Sequence, residues 1–174
     1  MDLRYPIGPF APKETYSASD NAASIARIEA LPANLEIAIK SLTDAQLDTP
    51  YRDGGWTVRQ VVHHMADSHM NAFIRLKWTL TEPTPLIKAY NEKDWAETPD
   101  TKLDVGLSVA LIRALHAKWS AFLKTLTAEQ VSREFLHPET KKLVRIDRQM
   151  ALYAWHGEHH LAHITELKKR NGWK

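Results

Sequence analysis

The sequence predicts an all-α fold, a four-helix bundle with short extra helices and a small hairpin. Four long stretches repeat apolar residues at the three- and four-residue spacing of a helix that faces a core. Prolines and glycines interrupt the chain between these stretches, where helices end. Long helices joined by such connections pack as bundles. The length of 174 residues suits one domain, which we expect to span residues 1–174.

The first helix is predicted from Ser19 to about Leu42, after an extended arm at residues 1–17. The arm holds three prolines and a glycine, which oppose regular structure. Either Ser19 or Asp20 is the predicted cap. We expect Pro32 to kink or divide the helix because proline lacks an amide hydrogen.

The second helix is predicted from Thr57 to about Leu80. Thr57 and Gln60 form the S/T-x-x-E/Q pattern of a capping box. The following connection, residues 81–103, contains three prolines together with aromatic residues. Connections of this length are usually functional or disordered, and the aromatic residues Tyr90 and Trp95 favour an ordered, packed one. We expect it to cover the open position of a site.

The third helix is predicted from Asp104 to Thr125. Its buried side is expected to carry the following apolar residues: Val109, Ile112, Leu115, Trp119, Phe122 and Leu126.

The last helix is predicted from Asp147, as its cap, to about Arg170, before the stop signal Asn171-Gly172. The residues that precede it, 133–146, favour a small hairpin.

Composition excludes several classes of protein. The chain has no cysteine, so disulfides and thiolate zinc sites are ruled out. The net charge is +2 with neutral histidines, and no basic stripe carries interleaved aromatics, so we expect no nucleic-acid partner. No apolar stretch approaches ~18 residues and no signal peptide is recognisable, so we expect no membrane partner and a cytoplasmic location.

Histidines concentrate near the C-terminus, where four of the nine recur at i, i+3, i+4 and i+7 of a helix. They are His156, His159, His160 and His163. Apolar residues usually fill such a stripe, and buried imidazoles are unfavourable unless they are bonded or coordinated. The second helix carries a matching polar stripe, which consists of Gln60, His64, Asp67, Ser68 and Asn71.

Two interpretations of these stripes are open. In the first, the histidines lie on solvated faces, and Asp67 pairs with a surface cation. In the second, His156 and His160, one turn apart, hold a divalent metal with a third ligand from the other helix, and Zn²⁺, Ni²⁺ or Fe²⁺ suits such ligands. Three ligands leave a position open for water, or for a thiolate. Asp67 then orients an imidazole or acts as a base.

The chain resembles the DinB superfamily, and within it the YfiT-like branch. The family pattern has a tryptophan, a histidine eight residues later and an acid three residues further, and Trp56, His64 and Asp67 match it. The second half of the pattern, H-x-x-x-H before small and aliphatic residues, matches residues 156–164. The segment 156–160 is not H-E-x-x-H, because its second residue is glycine, so the metalloprotease class is rejected.

This resemblance implies His64, His156 and His160 as the ligands of one divalent ion per chain, Zn²⁺ or Ni²⁺. The adjacent His63 points about 100° away from His64 on a helix, which favours a packing or supporting role. The roles of the other histidines in the C-terminal cluster stay open.

Three functions are compatible with such a site. The leading hypothesis is a metal-dependent hydrolase, in which a water on the three-histidine site attacks a small-molecule substrate. The alternative is a thiol S-transferase that activates a low-molecular-weight thiol. The third hypothesis is a metal-binding stress protein without catalysis. The resemblance also implies a homodimer, and no residue pattern identifies the substrate.

Overall fold

The computed structural model describes residues 2–174, and its long helices form the predicted four-helix bundle. In chain order the elements are α1 (Ala18–Ile39), α2 (Asp44–Leu47), α3 (Val58–Thr81), α4 (Glu92–Trp95), a 3-10 helix (Pro99–Lys102), α5 (Val105–Leu123), α6 (Ala128–Ser132), β1 (Glu134–Leu136), β2 (Leu143–Arg145) and α7 (Ile146–Arg170). Within the described residues, no helix has both the length and the apolar character needed to cross a membrane.

The four long helices do not pack in simple sequential order. Helix α1 packs against α5 and α7, and α3 packs against the same two helices. The diagonal pairs are therefore α1 with α3 and α5 with α7. Because α3 has α5 on one side and α7 on the other, its inward side chains reach both of these helices.

The bundle interior is apolar at both ends and polar in the middle. One apolar cluster includes Val61 and Ile164, and the other includes Leu76 and Met150. Between these clusters, three of the long helices contribute buried or half-buried histidines. This histidine layer consists of His64 and His69 on α3, His116 on α5, and His156 and His160 on α7.

Local capping patterns determine where several helices begin. The predicted box at α3 is confirmed: Gln60 N donates to Thr57 Oγ1 at 3.1 Å, and Thr57 N donates to Gln60 Oε1 at 3.0 Å. The same T-x-x-Q box starts α2 at residues 43–46 and α6 at residues 127–130. Each box satisfies backbone donors that have no partner within the first turn.

The predicted cap of α1 is wrong. Ser17 caps the helix: its Oγ accepts from the Asp20 amide, and the Asp20 carboxylate in turn accepts from the Ser17 amide. The helix ends at Ile39, before Leu42, since the chain there turns into α2. Pro32 lies inside α1 and does not divide it.

The predicted cap of α7, Asp147, is wrong, because Arg145 occupies the cap position. Asp147 lies in the first turn, where its carboxylate pairs with Arg145 and accepts from the Arg148 amide at 2.7 Å. A negative charge at this position interacts favourably with the positive end of the helix dipole.

The buried side of α5 also differs from the prediction. Leu115 is only partly buried, whereas its neighbour His116 is 1% exposed. The hydrophobic spacing predicts Leu115, the more apolar of the two residues, on the buried side of the helix.

The connections shape the surroundings of α7. The hairpin predicted at residues 133–146 forms, with Phe135 opposite Val144. Residues 2–17 contain turns but neither helix nor strand. This arm lies along α7, where Trp155 Nε1 donates to the Gly8 carbonyl at 3.2 Å.

Candidate metal centre

Helices α3 and α7 bring the three predicted metal ligands together. His156 and His160 lie one turn apart on α7, and His64 faces them from α3 across the bundle. Each of the three offers a ring nitrogen within 4.8 Å of the other two. His64 Nε2 and His156 Nε2 are 3.3 Å apart, and the ring centroids of His156 and His160 are 4.4 Å apart. We call these three residues the histidine triad; their role as ligands remains a prediction.

The protein surroundings keep the histidine triad uncharged. Burial lowers the pKa of His64 from 6.5 to about 4. Burial, with a smaller effect of neighbouring imidazoles, lowers the pKa of His156 and His160 well below 6.5. Because desolvation disfavours a charged imidazole, all three rings are neutral at neutral pH. Neutral imidazoles carry the nitrogen lone pairs that a transition metal binds.

The donor set fits a divalent transition metal. Three imidazole nitrogens face one another, and His160 Nδ1 is buried without a hydrogen-bond partner among the described residues. Buried polar atoms that lack partners are unfavourable, and a cation shared by the rings removes part of that cost. Three imidazoles suit Zn²⁺ or Ni²⁺ and leave a coordination position open.

The other two histidines of the C-terminal cluster lie on the side of the arm. His163 donates from Nε2 to the Arg4 carbonyl at 3.2 Å and stacks on Tyr51 at 3.9 Å. His159 stacks on Trp155 at 4.5 Å. With His160, they form a second group of three whose ring nitrogens also lie within 4.8 Å of one another.

His63 faces away from the histidine triad, in agreement with its predicted direction. Its Nδ1 lies 2.8 Å from Ser108 Oγ, and its Nε2 lies 3.2 Å from the Leu103 carbonyl oxygen. Both partners lie on the α5 side of α3. His63 therefore joins α3 to the start of α5 and does not contact the triad.

Asp67 lies one turn after His64 on α3 and is half-buried. Burial, together with the nearby Asp100 carboxylate, raises its pKa from 3.8 to about 6. Its carboxylate forms no hydrogen bond with an imidazole in the described part of the chain. No direct contact therefore supports the predicted role of Asp67 in orienting an imidazole. A carboxyl group with a pKa near 6 retains the properties of a general base.

Two buried histidines of the layer were not predicted as functional residues. His69 Nε2 lies 3.1 Å from His156 Nδ1, and His69 Nδ1 lies 2.9 Å from His116 Nε2. A signal was present in the sequence, since His116 follows the i, i+3, i+4 spacing of the α5 apolar stripe after Val109 and Ile112. A histidine in such a stripe requires a buried partner.

An open cavity of about 810 Å³ lies beside the histidine triad, a size that suits a small molecule. The residues that line it are Arg4, Tyr5, Tyr51, Arg52, Gly54, Gly55, Trp56, Gln60, Glu92, Lys93, Asp94, Glu97, His159, His160 and His163. Four of them belong to the connection at 81–103, which therefore forms one wall of the cavity. Gln60 fixes this wall by donating to the Ala96 carbonyl at 2.9 Å.

Comparison with known proteins gives consistent matches. A model of the DinB superfamily matches residues 27–164. YfiT of Bacillus subtilis (strain 168), named as a candidate metal-dependent hydrolase, is 52% identical over 174 residues, which cover 99% of this chain and 98% of that protein. A candidate metal-dependent hydrolase of Bacillus cereus (strain 03BB102) is 52% identical over 172 residues, 99% of each chain. The solved structure of Bacillus subtilis YfiT, described as a four-helix bundle of unusual topology, superposes with a TM-score of 0.98 over 100% of both chains.

Proposed function

The chain belongs to the DinB superfamily, and on that premise we propose that it is a metal-dependent hydrolase with one Zn²⁺ or Ni²⁺ on His64, His156 and His160. The observation that carries this proposal is the convergence of three uncharged ring nitrogens beside an open cavity. When bound, the metal supplies a Lewis acid and a means of activating water near neutral pH.

The residues around the histidine triad provide binding and orientation for a small-molecule substrate. His160 is the member of the triad that lines the cavity, so substrate entering the cavity meets the site at this residue. The Trp56 ring lies 4.7 Å from the His64 ring and 6.4 Å from the His160 ring. The indole therefore packs against the His64 imidazole and forms part of the cavity wall next to the triad.

The metal-loaded protein is expected to hydrolyse a small activated ester, amide or phosphoester. The test compares such a panel, including p-nitrophenyl acetate, for metal-loaded protein, chelator-treated protein and the free metal ion. Hydrolysis that exceeds the free-metal rate and disappears with the chelator supports the proposal. Absence of turnover on the whole panel contradicts it.

Thiol transfer is a second candidate, favoured by the charges of the cavity. Cations such as Arg52 and Lys93 line it together with anions such as Glu92 and Asp94. Glutathione and bacillithiol, two low-molecular-weight cellular thiols, carry both an amine and carboxylates, so they match a cavity with both signs of charge. Metal-dependent conjugation of such a thiol to monochlorobimane tests this candidate. A protein that binds metal and is inactive in both assays is a non-catalytic metal-binding protein.

We expect the change Asp67→Asn to lower turnover of the metal-loaded protein by about 10²–10⁴-fold, the usual contribution of a general base. A base acts only when deprotonated, so the wild-type rate should rise with pH through the titration of Asp67, and the variant should lose this rise. Burial raises the pKa of this carboxyl to about 6 in the metal-free protein, and a bound cation shifts it downward from there. The Asp67→Asn variant should bind as much metal as the wild-type protein.

The matched control for this change is Asp94→Asn, which removes an exposed carboxylate from the wall of the cavity. It should keep the wild-type pH profile. An Asp67→Asn protein with an unchanged pH–rate profile would exclude Asp67 as the base.

A further inference from the structure

An unbroken chain of hydrogen bonds crosses all four long helices at the level of the histidine layer. It starts at the Ile28 carbonyl of α1, which lies 2.6 Å from His116 Nδ1. His116 Nε2 lies 2.9 Å from His69 Nδ1, and His69 Nε2 lies 3.1 Å from His156 Nδ1. The hydrogen-bond chain ends at the histidine triad, since His156 Nε2 faces His64 Nε2 at 3.3 Å.

The carbonyl oxygen at the start of the chain sets the direction of every bond. A carbonyl can only accept, so the proton of His116 is on Nδ1, and a neutral imidazole has only one N–H. His116 and His69 are 1% and 0% exposed, and such burial strongly disfavours a charged ring. His116 Nε2 therefore accepts from His69 Nδ1, and His69 Nε2 accepts from His156 Nδ1. The lone pair of His156 is left on Nε2, the nitrogen that faces the triad.

Pro32 explains why the Ile28 carbonyl is available. In a continuous helix this carbonyl accepts from the amide four residues later, and that residue is Pro32, which has no amide hydrogen. The side chain of His116 on α5 supplies the missing donor. The proline inside α1 thus creates the acceptor from which the hydrogen-bond chain begins.

We propose, on the basis of the metal function proposed above, that Pro32, His116 and His69 are positioning residues that hold His156 with its proton on Nδ1 and its Nε2 lone pair directed at the metal. Partners of metal-bound histidines fix the tautomer and the ring orientation, and their loss typically weakens metal affinity about 10–100-fold. The usual partner is a carboxylate, a backbone carbonyl or water. Here a backbone carbonyl acts at a distance, through two imidazoles.

The tautomers are measurable without any metal. Long-range ¹H–¹⁵N correlation spectra of the metal-free wild-type protein should show His116, His69 and His156 each protonated on Nδ1. A His156 signal from the Nε2-protonated form, or from a mixture of both forms, would overturn the proposal. This measurement also decides the question if the variants described next fail to fold.

Two substitutions of His69 separate hydrogen bonding from packing. His69→Phe removes the acceptor for His156 Nδ1, whereas His69→Gln places an amide oxygen where Nε2 stood. Competition with a chelator for Zn²⁺ alone should show about 10–100-fold weaker binding for the phenylalanine variant. The glutamine variant should bind more tightly than the phenylalanine variant and retain the Nδ1 proton of His156.

His63→Phe is the matched control, because His63 is a buried histidine of the same helix with partners outside the hydrogen-bond chain. It should bind Zn²⁺ as the wild type does. Equal losses in the two phenylalanine variants would overturn the proposal in favour of a general packing effect. If wild-type protein shows the expected tautomers but binds neither Zn²⁺ nor Ni²⁺, the hydrogen-bond chain is supported and the proposed metal function fails.

Discussion

The variant His156→Ala is expected to lose Zn²⁺ or Ni²⁺ affinity by about two to three orders of magnitude. Structural zinc sites with four ligands are worth about 10–16 kcal/mol, or roughly 2.5–4 kcal/mol per ligand, and about 1.4 kcal/mol corresponds to tenfold in affinity. The change removes Nε2 from the histidine triad and also leaves His69 Nε2, fully buried, without its partner. Metal-dependent turnover should disappear with the metal.

Metal titration by calorimetry and elemental analysis after dialysis check this expectation. The wild-type protein should bind one ion per chain, and excess metal should raise its melting temperature because the ion binds only the folded state. Neither effect should occur with the variant at the same metal concentration.

The matched control is His159→Ala on the same helix. His159 belongs only to the second group of three, with His160 and His163. If the histidine triad binds the metal, the control keeps its metal and His156→Ala loses it. The opposite result, metal lost with His159→Ala and kept with His156→Ala, would move the site to the second group.

The metal-free protein is expected to lose several kcal/mol of stability as the pH falls from about 7 to about 5. His64 and His163 titrate at about 4 in the folded protein because burial lowers both values, against 6.5 in an unfolded chain. The unfolded state therefore binds more protons than the folded state between these values, and stability is lost as the pH falls. With 1.36 kcal/mol per pKa unit, each group contributes about 2 kcal/mol of loss at pH 5.

Three more histidines, all in the histidine layer, also lower the stability of the metal-free protein as the pH falls. Burial lowers the pKa of His69, His156 and His160 well below 6.5. Asp67 acts in the opposite direction, since its pKa is raised to about 6 and its protonation favours the folded state. With a typical domain stability of about 5–15 kcal/mol, the metal-free protein should approach unfolding near pH 5.

Denaturant unfolding of the metal-free protein at several pH values measures this effect. The change His163→Gln should reduce the loss between about pH 7 and pH 5 by about 2 kcal/mol, because one buried titrating ring is removed. Stability that is constant across this range would contradict the prediction. Protein loaded with metal should resist acid better, since the bound ion competes with protons for the same nitrogens.

Much of the fold was predictable because local patterns specify it. The box at Thr57 and Gln60 sets the start of α3, and hydrophobic spacing locates the four long helices. The cap of α1 was missed although its signal is equally local, since Ser17 and Asp20 form the same type of box. At α7 the helix begins without any side-chain cap, so no sequence signal marks its first residue.

The candidate site was predictable in part. Spacing and family resemblance indicated His64, His156 and His160, because a metal requires particular donors and a helix turn brings two of them together. His69 and His116 were missed, since their role depends on partners 47 and 87 residues away in the chain. The place of His116 in the apolar stripe of α5 signals a buried partner, but the spacing does not say which residue that partner is.

The sequence by itself determined the four long helices, the capping box of α3 and which donors are available to a metal, because these depend on residues within a few turns of one another. Only the tertiary structure decided that α3 lies between α5 and α7, which aligns the histidines of three helices between two apolar clusters. It also decided the role of Pro32, whose missing amide hydrogen matters because His116 of another helix lies 2.6 Å from the freed carbonyl. Such a contact depends on packing between distant segments, which local patterns do not specify.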